Sequence, residues 1–255
     1  MAAALTLPLV LAACGPDHPS APSSAPSPAP AQSAVAGYIQ PPGVTAAAVA
    51  DGQVALSGVA APGARVRLAT PEGAARFATA DASGRWSLTA PVASQTRIFG
   101  LSMNVQGRQV QGQGYVLLTR AGRCVLLRAG SGAVVLGAAG PARITALDFD
   151  AEGGAMVSGL APANKALSAR GGGRAAASGR ADPTGRFSIA LNQPLDPGPQ
   201  RIVVTGDGFS VAAGLEVTPA APVTRGAFRA SPVDGGLRVD WLTPGGGLQS
   251  TVILD

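Results

Sequence analysis

One segment of the sequence occurs twice, and this internal repeat constrains the fold more than any other feature. Residues 54–58 (VALSG) correspond to 155–159 (AMVSG), and residues 79–88 (TADASGRWSL) correspond to 180–189 (RADPTGRFSI). Both matches have the same offset of 101 residues, and neither needs a gap. Two matches at one offset indicate the duplication of a single domain. We therefore expect two domains of one architecture.

Within each copy, apolar residues alternate with polar or small residues, as they do in strands that bury one face. Val54 and Leu56 follow this pattern, and so do Trp86 and Leu88. Turn residues recur at roughly 8–12 residue intervals, a spacing typical of antiparallel sandwiches. The chain holds 35 Gly and 22 Pro, a density that excludes long helices. We predict an all-β chain with two tandem antiparallel β-sandwich domains.

The repeat also places the domain boundaries. We predict the first sandwich at residues 44–145 and the second at residues 146–255. Each copy ends in an additional hairpin-like stretch, at 122–137 in the first copy and at 226–254 in the second. Glycine-rich turns divide both stretches, which is typical of paired strands.

The order of turn and strand motifs resembles bacterial Ig-like and carboxypeptidase-regulatory-like β-sandwich modules. A Ser-Gly pair is followed by Pro62-Gly63 before a strand, and then by Asp-x-x-Gly-Arg-Trp or Phe before the next strand. The resemblance covers roughly residues 45–118 and 151–218. In the second copy, Ala163-Asn164 replaces the Pro-Gly turn. The resemblance implies a spacer, adhesive or accessory role, although a fold alone does not define a function.

The N-terminus predicts export and lipid anchoring. Residues 2–13 (AAALTLPLVLAA) form an apolar segment of the length of a secretory signal. Its end, Leu11-Ala12-Ala13-Cys14, resembles a bacterial lipobox, which implies cleavage after residue 13 and lipidation of Cys14. Gly15 rather than Asp follows the cysteine, which by resemblance favours the outer membrane. No Lys or Arg precedes the apolar run, so we expect the true start to lie upstream.

Residues 14–43 are predicted to be a disordered linker behind the lipidated cysteine. The segment is dominated by Pro, Ala and Ser. Such a composition cannot bury enough apolar surface to fold, and its prolines favour an extended chain. The linker would hold the folded part away from the membrane.

The residue inventory argues against catalysis and cofactors. The only histidine, His18, lies in the linker, and Lys165 is the only lysine. Asp81 and Asp182 each suit a hairpin turn, with calcium or sugar binding as the alternative, but one carboxylate per loop is too few for calcium. Residues 148–152 (DFDAE) carry three carboxylates at alternate positions, which suits a solvated linker or an inter-domain calcium site. We predict no enzyme, no cofactor and no metal.

Two tryptophans are the residues we consider for ligand contact. Trp86 lies in the repeat, and Trp241 precedes a glycine-rich stretch at 245–247. Either could contact a sugar, and the alternative is a role in the core. Cys124, in the apolar run RCVLLR, is predicted to be a buried hydrophobic residue. The 18 arginines are scattered rather than clustered, so we predict no nucleic-acid binding.

The sequence thus predicts a non-enzymatic lipoprotein of the bacterial cell envelope. Its Ig-like modules would serve structural or protein-interaction roles, and its partners would be the membrane, through Cys14, and an unidentified envelope protein or glycan. The alternative is a carbohydrate- or peptidoglycan-binding module, with Trp86 and Trp241 in contact with the sugar.

Overall fold

A computed structural model describes residues 38–92 and 94–255, and the described residues contain strands and no helix. The first half forms β1 (Gly43–Ala50), β2 (Gln53–Val59), β3 (Arg65–Ala69), β4 (Ala75–Thr79), β5 (Arg85–Pro91), β6 (Arg97–Val105), β7 (Arg108–Leu118), β8 (Cys124–Leu127) and β9 (Val134–Leu136). The second half forms β10 (Arg143–Phe149), β11 (Ala155–Leu160), β12 (Ala166–Gly171), β13 (Ala177–Arg180), β14 (Arg186–Ala190), β15 (Gly198–Gly206), β16 (Phe209–Val217), β17 (Phe228–Val233), β18 (Gly236–Leu242) and β19 (Leu248–Leu254). The predicted all-β fold class is confirmed.

Each half is an antiparallel sandwich of the immunoglobulin-like kind, built on seven repeated strands. In the first half, the sheet β1-β2-β5 faces the sheet β4-β3-β6-β7-β8-β9. In the second half, β14-β11-β10 corresponds to the first of these sheets, and β13-β12-β15-β16 corresponds to the second. Three strands therefore face four in both copies, with a buried apolar core between them. We call the core of the first half, which includes Leu56, Val66 and Trp86, the first core, and that of the second half, which includes Leu147 and Phe187, the second core.

The repeated Ser-Gly and aromatic residues meet across two strands. Gly58 pairs with Trp86, and Gly159 pairs with Phe187. A Cβ on Gly58 would lie 2.8 Å from the Trp86 ring and 2.0 Å from the Gly43 carbonyl oxygen. A Cβ on Gly159 would lie 2.7 Å from the Phe187 ring. Only glycine leaves room for the aromatic ring and the neighbouring strand, so this pair explains why the repeat keeps both residues.

The repeated aspartates close the hairpin turns before the aromatic strands. Asp81 Oδ1 accepts hydrogen bonds from the Ser83 and Arg85 backbone N–H groups at 2.8 and 2.9 Å, and from the Ser83 hydroxyl. Asp182 accepts the same three bonds in the second copy. Gly84 adopts a φ of 77°, which other residues rarely reach. The predicted turn role of both aspartates is confirmed.

The additional strands of the two halves extend the two inner sheets. Strands β8 and β9 extend the sheet of β3, β6 and β7, whereas β17, β18 and β19 extend the sheet of β10, β11 and β14. These two six-stranded sheets face each other and enclose a third apolar core, which we call the middle core. It consists of Ile98, Leu117, Val125, Leu127, Ala133, Val135, Ala146, Val239, Trp241 and Ile253. The chain therefore stacks four sheets around three cores.

Two predicted boundaries differ from the strands of the structure. The boundary between residues 145 and 146 falls inside β10, which begins at Arg143. The last residues of the predicted linker belong to the folded part, because Ile39 packs against the first core and β1 begins at Gly43. The predicted signal segment at 1–13 and the linker up to residue 37 lie outside the described residues.

We expect Gly58→Ala to lower the free energy of unfolding by about 1–3 kcal/mol, because the added methyl group overpacks the first core. Guanidinium unfolding followed by circular dichroism measures the change. Gly214→Ala is the matched control, since Gly214 also lies in a strand and a Cβ there would meet no atom within 4 Å. Equal losses in the two variants would contradict the packing role of Gly58.

Candidate functional site

The middle core is the feature of this chain that the duplication alone does not provide. Trp241 is fully buried in it, and its ring meets Tyr115 edge to face with centroids 5.8 Å apart. Tyr115 belongs to the first half and Trp241 to the second, so this aromatic pair joins the two sandwiches. Apolar side chains of β8 and β9 pack on the same layer.

A hydrogen-bond network crosses the middle core at Asp148. Trp241 Nε1 donates to the Thr251 hydroxyl at 3.0 Å, and that hydroxyl donates to Asp148 Oδ1 at 2.6 Å. Gln249 Nε2 donates to the same oxygen at 3.2 Å. Asp148 Oδ2 accepts the backbone N–H of Ala133 at 2.7 Å, a bond between the two halves. The carboxylate therefore ties the first sandwich to the second.

Burial dominates the ionisation of Asp148. Its side chain is 2% exposed, and desolvation raises its pKa from an ordinary 3.8 to about 6. The hydrogen bonds from Thr251, Ala133 and Gln249 oppose this shift, because they favour the charged form. The Asp148 carboxyl group therefore loses its proton at a higher pH than an ordinary aspartate does.

A second buried network, centred on Asp240, joins β17, β18 and β19 at one end of the second inner sheet. Asp240 accepts hydrogen bonds from Arg238 Nε at 2.8 Å and from the Ser250 hydroxyl at 2.7 Å, and it also pairs with Arg229. Burial alone would raise the pKa of Asp240, but the bonds from Ser250, Arg238 and Arg229 outweigh it and lower the pKa. The Arg238 guanidinium also lies 5.3 Å from the centre of the Phe149 ring. Arg238 and Asp240 of β18 both bind Ser250 of β19, so this network holds the two strands together.

Cys124 and Lys165, two side chains that could act as nucleophiles, have structural surroundings in this fold. Cys124 is buried as expected, and desolvation raises the pKa of its thiol to about 12, so the thiolate nucleophile does not form near neutral pH. The Lys165 ammonium forms an exposed ion pair with Asp207 at 3.1 Å. The ion pair with Asp207 keeps the Lys165 ammonium in its charged form, which is not nucleophilic.

The structure corrects the expectation for the two tryptophans. Trp86 is 3% exposed and donates its Nε1 hydrogen bond to the Val59 carbonyl oxygen at 3.1 Å. Trp241 is fully buried and bonded to Thr251. Both rings fill cores, so neither can contact a dissolved sugar. The predicted lipidation site, Cys14, lies outside the described residues.

The carboxylates at 148–152 also differ from the expectation of a solvated linker. Asp148 and Phe149 are buried in two different cores, because β10 belongs to an inner sheet. Asp150 Oδ1 accepts the backbone N–H groups of Glu152 and Gly154 and so closes a turn. Among residues 38–92 and 94–255, no three metal-ligating side chains gather in one place.

Sequence reasoning missed the middle core and the role of Asp148. A signal was present, since β8 is the uninterrupted apolar run CVLL and β19 ends in the apolar residues VIL. Such runs are typical of strands buried on both faces, whereas strict alternation marks strands with one face in solvent.

The described residues also hold no helix long and apolar enough to span a membrane.

Comparisons with known proteins return structural similarity only. No family model matches the chain, and no curated protein matches it. A solved structure of a biofilm-associated protein BSP domain is 13% identical over 71% of this chain, with a TM-score of 0.24, and this chain covers 30% of it. The central fibronectin-III array of RIM-binding protein is 12% identical over 84% of this chain and 89% of its own length, with a TM-score of 0.26. At these TM-scores, neither similarity assigns a function.

We expect Asp148→Asn to remove a pH-dependent part of the stability. The unfolded Asp148 loses its proton near its ordinary pKa of 3.8 and the folded one near 6, so the wild-type protein loses stability as the pH rises through this window. A shift of this size corresponds to on the order of 3 kcal/mol. The measurement is the free energy of unfolding of both proteins at several pH values between 4 and 7.

We subtract the free energy of unfolding of Asp148→Asn from that of the wild type at each pH. This difference should decrease as the pH increases. Asp51→Asn is the control, because Asp51 is exposed at a left-handed turn position that asparagine also adopts. Its pH profile should follow the wild type. A constant difference between wild type and Asp148→Asn would contradict the raised pKa.

Proposed function

We propose that the chain is a non-enzymatic lipoprotein of the bacterial envelope that presents a rigid pair of β-sandwiches for structural or protein-interaction roles. The observation that carries this proposal is the middle core. Tandem modules joined by a linker usually move relative to one another, whereas a large apolar interface fixes their orientation. A fused pair suits a spacer or a platform better than a hinged one does.

The placement of reactive groups supports a role without catalysis. Asp148, Asp240 and Cys124 are buried and serve packing or hydrogen bonding. Catalysis by a nucleophile needs an activated group within reach of a base. The engagement of these three groups with the fold itself supports the proposed role.

The N-terminal sequence supports anchoring to the membrane. Lipidation at Cys14 would place more than one acyl chain on the protein, which gives stable binding, whereas a single chain holds weakly. The proline-rich segment up to residue 37 is then the tether between the membrane and the sandwiches. Gly15 after the cysteine favours the outer membrane. The partner in this proposal is an envelope protein.

The glycan-binding alternative lacks the residues that suggested it. Its two tryptophans are buried, and binding of sugars by aromatic stacking requires an accessible ring face. Phe77, which is 48% exposed, has its ring stacked by the Arg65 guanidinium at 4.1 Å. The protein-interaction role is therefore the proposal we favour.

We expect Cys14→Ser, expressed from the native locus, to move the protein from the membrane fraction to the soluble fraction and to abolish incorporation of labelled fatty acid. Cell fractionation with fatty-acid labelling provides the measurement. Cys124→Ala is the matched control and should stay in the membrane, because the buried Cys124 thiol is inaccessible to the lipidation enzymes. If Cys14→Ser remained as firmly bound as wild type, the anchoring proposal would be wrong.

A further inference from the structure

Strand β16 is an unprotected sheet edge. It pairs with β15 over nine residues without a register shift, and it lies at the end of its sheet. Its sequence, FSVAAGLEV, contains no proline and one charged residue, Glu216. Strand β16 is the longest of the described edge strands. Of the others, β4, β9, β13 and β14 have five residues or fewer, β1 is bulged, β17 contains Pro232, and the seven-residue β5 ends at Pro91. A long regular edge offers free backbone groups to another strand.

The first sandwich shows which kind of segment occupies this position. By the repeat, β7 corresponds to β16, and β8 pairs antiparallel with β7 over residues 115–118. Leu118 pairs with the first residue of β6 and Val217 with the first residue of β15, so residues 115–117 correspond to 214–216. The second sandwich has no strand in that place among the described residues. Residues 218–224, which follow β16 and include Pro219 and Pro222, form no strand, and these prolines disfavour one because proline cannot donate a backbone hydrogen bond.

An open groove lies beside the same three residues. It has a volume of about 720 Å³, and its lining includes Gly214, Leu215 and Glu216 of β16, with Val233 and Val252 across from them. Leu215 is only partly buried against the second core, and Val233 is 39% exposed. The groove therefore combines free backbone groups at the edge with an incompletely covered apolar floor.

We propose that this groove binds an extended segment of a partner protein, which adds as an antiparallel strand to β16. The segment carries apolar side chains at the alternate positions that face the groove, as Cys124 and Leu126 of β8 face the first core, and these side chains cover Leu215 and Val233. Backbone hydrogen bonds supply affinity and the alternate side chains supply specificity. This inference deepens the proposed interaction role and rests on it, but it does not depend on lipid anchoring.

The geometry favours a single strand over a second copy of this chain. Strand β16 packs against β10 of the facing inner sheet. That inner sheet continues beyond β10 with β19, β18 and β17. A symmetric pairing of two β16 edges would bring these protruding strands of both copies into the same space. A single extended segment fits above them. Glu216 and Asp234 at the groove, against Arg201, also favour a segment flanked by basic residues.

The test uses the full chain with Cys14→Ser and a synthetic peptide of residues 122–129 (GRCVLLRA) with its cysteine replaced by alanine. This peptide contains β8, whose own site in the first sandwich is already filled. We expect NMR amide shifts and slowed hydrogen exchange at residues 211–216 on peptide addition. Val233→Asn, across the groove and outside β16, makes the groove more polar without changing its charge and should weaken binding about tenfold.

Two peptide variants test the orientation of the added strand. Leu126 faces the first core in β8, whereas Leu127 faces the middle core. In a peptide strand paired with β16, the Leu126 side chain would point into the groove and the Leu127 side chain would point to solvent. Leu126→Asp in the peptide should therefore lower affinity about tenfold or more, whereas Leu127→Asp should retain it.

Absence of shifts at 211–216 with millimolar peptide would overturn the inference, and so would equal affinities of the two peptide variants. Dimerisation of the chain through β16 without peptide binding would also overturn it and assign the edge to a second copy. The result does not depend on anchoring, since the protein tested carries Cys14→Ser. A failure here and a failure of the membrane experiment are therefore distinguishable.

Discussion

The structure depends on the burial of both faces of the strands that surround the middle core in its two inner sheets. In β8, Cys124 and Leu126 point to the first core, and Val125 and Leu127 point to the middle core. A sheet with one wet face would carry polar residues at one of these two sets of positions. Separating the sandwiches would expose the whole apolar middle layer, including Trp241, to water. The hydrophobic cost of that exposure is what holds the halves in one orientation.

The polar network at Asp148 gives this apolar layer a fixed register. Apolar contacts are non-directional, whereas the bond from the Ala133 backbone to Asp148 requires one relative position of the two halves. Thr251 and Gln249 satisfy the other carboxylate oxygen, and Trp241 completes the chain of donors. A buried carboxyl group without these partners would be costly. The repeat thus supplies two sandwiches, and the added strands with their network turn them into one body.

The sequence predicted what is local and repeated. Alternation and turn spacing gave the all-β class, and the Asp-x-x-Gly motif gave the hairpin turns at Asp81 and Asp182, because those bonds lie within five residues. The middle core could not be predicted from periodicity, since its partners, such as Tyr115 and Trp241, are distant in the sequence. Asp148 was expected beside solvent for the same reason: its burial depends on strands β9 and β19. Cys14 belongs to a segment outside the described residues, and its lipidation stays a prediction.

The claim that the two sandwiches form one body is tested most directly by ¹⁹F NMR of the wild-type protein labelled with 5-fluorotryptophan. Trp86 reports on the first core and Trp241 on the middle core, so the two resonances follow different parts of one molecule. Assignment uses a tryptophan-to-phenylalanine variant at each position. In a guanidinium titration, we predict that both native resonances disappear with one midpoint, as in a two-state transition. Two well-separated midpoints would show that the sandwiches unfold independently and would contradict the account.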